Sequence, residues 1–81
     1  MTLDFSKHFL RSFVKAPKEV KKAFGKQSLF LLQDLNHPSL RAKKYDEGKD
    51  LWQGRVTKDW RFYFKIDGEV YRMEEIRRHP K

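Results

Sequence analysis

Trp60-Arg61-Phe62-Tyr63-Phe64-Lys65-Ile66, followed at once by Asp67-Gly68, is the stretch that decides the fold of this 81-residue chain. Apolar and polar residues alternate along it, and a period of two is the geometry of a strand buried on one side only. Trp60, Phe62, Phe64 and Ile66 therefore face a core, while Arg61, Tyr63 and Lys65 face away from it. Asp67-Gly68 is a dipeptide that favours a two-residue type I′ hairpin turn. A last strand is expected from Glu69 to about His79. In the other direction, Lys58-Asp59 makes a tight connection to an earlier strand over Leu51–Thr57, on which Trp52 and Val56 belong to the core. Gln53, Arg55 and Thr57 then share the open face with Arg61 and Tyr63.

Toward the N-terminus the apolar period changes. Leu3 and Phe5 alternate with polar neighbours and predict a short first strand, and Ser6 is placed to cap a helix containing Phe9, Phe13 and Val14. Ala16-Pro17 breaks that helix. Pro17 fits the first turn of a second one, with Glu19 near its positive end and Val20, Phe24, Leu31 and Leu35 recurring on one face. Asn36-His37-Pro38 closes it. The order is β-α-α-β-β-β: an α+β fold with two N-terminal helices packed on one face of a small antiparallel sheet, the other face left to solvent or ligand. No repeat, low-complexity tract or linker divides residues 1–81, which make one domain.

The composition narrows the function. Seven Phe, three Tyr and two Trp supply a packed interior despite 37% charged residues. Zero Cys excludes disulfides, thiolate nucleophiles and cysteine-ligated metal sites. No apolar run reaches the roughly 18 residues that span a bilayer, and the N-terminus lacks the pattern of a signal peptide, so the expected location is the cytoplasm, without membrane attachment. A formal charge of +8 on so small a surface favours a polyanionic partner, with nucleic acid preferred over anionic lipid in the absence of an amphipathic anchor.

The open face of the sheet carries the matching chemistry. Guanidinium groups grip phosphate bidentately and an aromatic ring stacks on an unpaired base, so Arg55, Arg61, Tyr63 and Lys65 suit RNA. The same residues would also serve as an ordinary polar strand face. Arg41, Lys43 and Lys44 lie just before the sheet, in a loop expected to overhang that face and contact RNA. Arg77, Arg78 and Lys81 add cations at the C-terminus around His79, a side chain suited to proton transfer near neutral pH. Lys15, Lys18, Lys21, Lys22 and Lys26 read as the solvated face of the helices, and His8 and His37 as ordinary surface residues. No His or carboxylate pair has metal-ligand spacing and no Gly-rich phosphate loop occurs, so neither metal nor cofactor is expected.

The ordered combination His37-Pro38-Ser39-Leu40-Arg41, Lys43-Lys44, Leu51-Trp52, Arg55-Val56, the Arg61 strand and the terminal His79 resembles the RelE/ParE toxins of type II toxin-antitoxin modules. The resemblance covers essentially the whole chain. It is nearest to the YoeB-like and RelE-like ribosome-dependent RNases, whose Trp-containing strand, Arg on the next strand and C-terminal His match Trp52, Arg61 and His79. It implies metal-independent cleavage of messenger RNA in the ribosomal A site, and a cognate acidic antitoxin as partner in a hetero-oligomer, covering the open face or helical apolar residues such as Phe30 and Leu32. In such a site Arg61 would stabilise the phosphorane charge, assisted by Arg55 and Lys44, and His79 would be the general acid.

Two positions depart from the family pattern. Where YoeB-like toxins place a Glu base, this chain has Ala42, with Asp46 and Glu47 nearby. Where the family often ends in a stacking Tyr, it has Pro80 and Lys81, which leaves Tyr63 or Tyr45 to supply the ring. A ParE-like gyrase inhibitor and a non-catalytic RNA- or antitoxin-binding module therefore stay open beside the RNase.

Overall fold

The computed structural model describes residues 1–80, so the expected RNA contact at Lys81 lies outside the described residues. Along the chain run β1 (Thr2–Phe5), α1 (Lys7–Lys15), α2 (Lys18–Gln33), β2 (Lys43–Asp46), β3 (Leu51–Arg55), β4 (Trp60–Asp67) and β5 (Val70–Arg78). The strands form one sheet in the order β1-β5-β4-β3-β2, antiparallel except for the parallel pair β1–β5. Both helices cover one face. The expected α+β arrangement is thus present with one strand more than the sequence signalled.

That additional strand is β2, at residues read from the sequence as a loop. Lys-Lys-Tyr-Asp shows no apolar alternation because β2 is an edge strand, where lysine is tolerated and keeps the unpaired edge from recruiting another chain. Lys43 and Lys44 are consequently fixed by pairing with Gln53 and Trp52, and do not overhang the sheet.

The helix boundaries follow from the caps. Ser6 Oγ accepts the Phe9 N–H at 2.9 Å and donates to the Glu74 carbonyl at 3.2 Å, which pins the start of α1 to β5. Pro17 stands one position ahead of α2, outside its first turn, and its carbonyl accepts from Val20 and Lys21. Glu19 lies in the first turn as expected.

Phe62 and Phe64 are completely buried, Phe62 meeting Phe24 edge-on at 5.5 Å between ring centroids. Phe9 packs on Phe24 in turn, at 5.2 Å. Trp60 and Ile66, expected in the same buried row, are only half-buried because they stand near the ends of β4. Phe30 and Leu32 also pack against the core, so the exposed helical apolar residues are instead Leu10, Val14 and Leu29.

The strand β5 carries a bulge. Tyr63 pairs with Glu75 but Phe64 with Met73, so Glu74 is an extra residue. Tyr71, Met73 and Ile76 thereby all reach the core despite their odd spacing. The hairpin turn is shifted by one residue from the expected place: Asp67 pairs with Val70, leaving Gly68-Glu69 as the loop. Positive φ at Gly68 (59°) and not at Glu69 is the pattern of a type II′ turn, with glycine first, in place of type I′.

Gly54 is dictated by Phe62, whose ring lies directly over it. A Cβ at position 54 would sit 2.3 Å from the ring's Cζ, and that ring has no free space to retreat into. Gly54→Ala is expected to destabilise the domain by about 1–3 kcal/mol through overpacking. A denaturant midpoint equal to that of the parent would contradict this packing.

Candidate nucleic-acid site

Strand register assembles the open face into rows. Arg55 on β3 stands opposite Arg61 on β4, which stands opposite Arg77 on β5. The next row is Lys43, Gln53, Tyr63 and Glu75. Like charges directly opposite one another destabilise a sheet. Three arginines in one row are therefore an arrangement that a polyanion would relieve.

The first row opens into a shallow hollow of about 200 Å³ lined by Arg41, Lys43, Gln53, Arg55, Arg61 and His79. Each wall has a local cause. The Arg55 N–H donates to the Leu40 carbonyl at 2.7 Å, drawing the segment before β2 against β3. Arg41 follows in the left-handed region, at φ 47°. The His79 N–H donates to the Asp59 carbonyl at 2.6 Å, so the end of β5 is tied to the β3–β4 connection. Arg61 Nη1 donates to the carbonyls of Thr57 (2.7 Å), Trp60 (2.9 Å) and Lys58 (3.2 Å), which holds its guanidinium beside the same connection. Burial first, then the Arg55 charge, lower the pKa of Arg61; Tyr63 opposes them, Arg41 adds a weaker lowering and Asp59 opposes least.

Of the residues singled out from sequence, Arg41, Lys43, Arg55, Arg61 and His79 come together here. Lys44 does not. It pairs with Trp52, on the helix side of the sheet, and its Nζ lies over the indole and forms an ion pair with Asp50. The hydrogen bond and charge of Asp50 raise the Lys44 pKa, with Glu47 adding and burial opposing. Such a lysine keeps its proton and stands on the wrong face for the hollow.

Tyr63 is 1% exposed, covered by the Tyr45 ring edge-on at 4.9 Å and by the Arg77 guanidinium 4.4 Å from its centroid. It is a platform for its neighbours and closed to an RNA base. Tyr45 is the exposed ring on this face, its hydroxyl accepting from Arg77 Nη2 at 3.3 Å. Lys65 and Arg77 border a second hollow, of about 510 Å³, with Tyr45, Glu74 and Glu75. Arg78 pairs with Trp60 and lies toward Glu19 and Lys58 on the helix side, away from both hollows.

The sequence reading missed Glu75, which receives His8 Nε2 at 2.9 Å on one oxygen and Arg77 at 3.6 Å on the other. Only the bulge reveals this position. His8 thus joins a cross-element pair and is not an isolated surface residue, while His37 stacks on Phe30 with centroids 3.9 Å apart. Among the described residues no three His, Asp or Glu side chains gather in a way that could hold a metal ion. No described helix is long and apolar enough to cross a membrane.

Two helices on one face of a five-stranded sheet is a fold also found in solved toxin structures. The YoeB/ParE toxin from Agrobacterium tumefaciens superposes with a TM-score of 0.82 at 12% identity, over 99% of this chain and 100% of that one. The intact RelBE toxin-antitoxin complex of Escherichia coli gives 0.76 at 14% identity, over 99% and 98%. The chain has the RelE/YoeB toxin fold. In sequence it is 37% identical over 60 residues to the phosphatidylserine decarboxylase proenzyme of Fusobacterium nucleatum subsp. nucleatum, a match covering 73% of this chain. The chain spans 20% of that protein's length. No known family model matches it.

Proposed function

We propose that the chain is the toxin of a toxin-antitoxin pair and that it cuts messenger RNA in the ribosomal A site, using the substrate's own 2′-hydroxyl as nucleophile. The observation that carries this reading is the hollow that gathers Arg41, Lys43, Arg55, Arg61 and His79 with no carboxylate among its lining residues. A phosphodiester seated there meets four cationic side chains and no carboxylate side chain, which suits the charge of a phosphorane.

In this mechanism the 2′-oxygen attacks phosphorus and the bond to the 5′-oxygen breaks, leaving a 2′,3′-cyclic phosphate. Arg61 and Arg55 neutralise the charge that develops on the equatorial oxygens. Arg61 is suited to this because its Nη1 bonds to three carbonyls fix the guanidinium before substrate arrives. His79 protonates the departing 5′-oxygen, the proton of the 2′-hydroxyl is lost to solvent water, and Lys43 adds positive charge beside the phosphate. No step uses a metal. An acidic antitoxin covering the arginine row would complete a hetero-oligomer of the kind the RelBE complex represents.

One observation favours a module that binds RNA without cutting it: the same three carbonyl bonds would equally make Arg61 a staple for the β3–β4 connection. Brief expression in a bacterium, with RNA integrity and plasmid supercoiling read side by side, separates the readings. The expected result is cut transcripts with 5′-hydroxyl ends and 2′,3′-cyclic or 3′-phosphate ends, and normal supercoiling. Products with 5′-phosphates would exclude 2′-hydroxyl attack. Intact RNA with altered supercoiling would replace the RNase with the gyrase inhibitor, and intact RNA with normal supercoiling would leave the binding module.

A further inference from the structure

A second cationic hollow, of about 470 Å³, lies between α2 and the end of β3, and shares Arg41 and Arg55 with the site described above. Its other cations are Lys26 and Lys58, and no Asp or Glu is among the residues that line it. The hollow is built around Gln27, which is 5% exposed. Gln27 Nε2 donates to the carbonyls of Ser39 (3.0 Å) and Arg55 (2.8 Å), and its Oε1 accepts from Ser39 Oγ at 2.9 Å. One buried side chain thus fastens α2 to both the loop before Arg41 and the strand that ends in Arg55. Lys26, the residue before Gln27 on α2, borders the hollow together with the two arginines. Lys26 accordingly differs from Lys18, which does not border this hollow.

We propose that this hollow is a second phosphate subsite, holding an RNA backbone phosphate next to the scissile one. The inference rests on the RNase reading of the first hollow. Two concave sites joined through shared arginines suit successive phosphates of one polyanion, since each arginine fork can bridge groups on either side. An anion here would also relieve repulsion among four cations that have no carboxylate beside them in the hollow. The phosphate can come from the substrate strand itself or from folded ribosomal RNA, and the two sources give different readouts.

The test is the double variant Lys26→Gln/Lys58→Gln in the full chain. Both side chains are exposed, and the Lys58 carbonyl that Arg61 uses is retained. Binding is measured with single-stranded oligonucleotides of two and nine nucleotides without terminal phosphates, made uncleavable by 2′-deoxy substitution, at several salt concentrations. Cleavage on ribosomes is measured in parallel. If the phosphate belongs to the substrate strand, the nine-nucleotide affinity falls roughly five- to tenfold. Its salt slope drops by about 0.7, the value for one phosphate on a single strand, while binding of the dinucleotide, which has a single phosphodiester, is unchanged. If it belongs to ribosomal RNA, both oligonucleotides bind as before and only cleavage on ribosomes declines. Equal weakening for both lengths, or no change in either assay, overturns the subsite. Absence of cleavage by the parent chain would sink the RNase reading instead, while the oligonucleotide arm still reports on the hollow.

Discussion

Phe62→Ala is expected to lower the free energy of unfolding by about 3–5 kcal/mol, the usual result of deleting a fully buried aromatic side chain. Phe62 has no exposed surface, meets Phe24 edge-on, lies 5.4 Å from the Phe64 ring and rests on the bare backbone of Gly54. Removing its ring therefore opens a cavity at the junction of helix and sheet that no single neighbour can fill. A domain of this size has roughly 5–15 kcal/mol of total stability, so the variant should be largely unfolded at modest denaturant. Chemical denaturation monitored by Trp52 and Trp60 fluorescence reads the effect. Phe62→Leu should recover part of it, which separates cavity formation from any special need for an aromatic ring. A Phe62→Ala chain as stable as its parent would mean that the face assigned to the core is the wrong one.

That face could be read from sequence because the alternation of β4 is uninterrupted and its two pleats differ sharply in polarity. Ser6 was legible for a similar reason, since capping is a local task that few residue types can perform, whereas Gly68 marked the hairpin but neither its register nor its turn type. The strand β2 was not, since an edge strand of Lys, Lys, Tyr and Asp need bury nothing and so leaves no periodic signal. The bulge at Glu74 was legible only as a disagreement between Tyr71, Met73 and Ile76. Its consequence, the meeting of Glu75 with His8 and Arg77, depended on register.

The candidate site divides along the same line. Arg55 and Arg61 shared a predicted face, and pairing placed them opposite one another. Lys43 and Lys44 were indistinguishable as members of a loop. As members of a strand they point to opposite sides, and Lys43 enters the hollow while Lys44 is engaged by Asp50 and Trp52. Tyr63 shows the limit of inferring exposure from alternation, because a ring on the open face is buried all the same beneath Tyr45 and Arg77. Lys26 shows the converse: helical spacing gave it a solvated face, and in the fold it borders a hollow together with the two arginines.

His79→Ala and Arg61→Ala should each reduce RNA cleavage on ribosomes by about 100-fold or more, equivalent to roughly 2.7 kcal/mol of transition-state stabilisation for each group. The histidine variant is the cleaner probe. What ties residue 79 to the fold is its backbone N–H on the Asp59 carbonyl, which alanine keeps. Stability and antitoxin binding should therefore be unchanged while the rate collapses. Arg61→Ala also removes the Nη1 bonds to Thr57, Lys58 and Trp60, so a loss of about 1 kcal/mol in stability is expected alongside the loss of rate. A merely structural Arg61 would show that stability loss with a far smaller effect on the rate of the folded fraction. Lys44→Ala, on the opposite side of the sheet, should leave the cleavage rate within a few-fold of the parent, and Lys22→Ala likewise, as solvated charges contribute chiefly long-range attraction. If His79→Ala and Arg61→Ala instead retained full toxicity in cells, neither group would be doing chemistry. The arginine row would then have to be explained by binding alone.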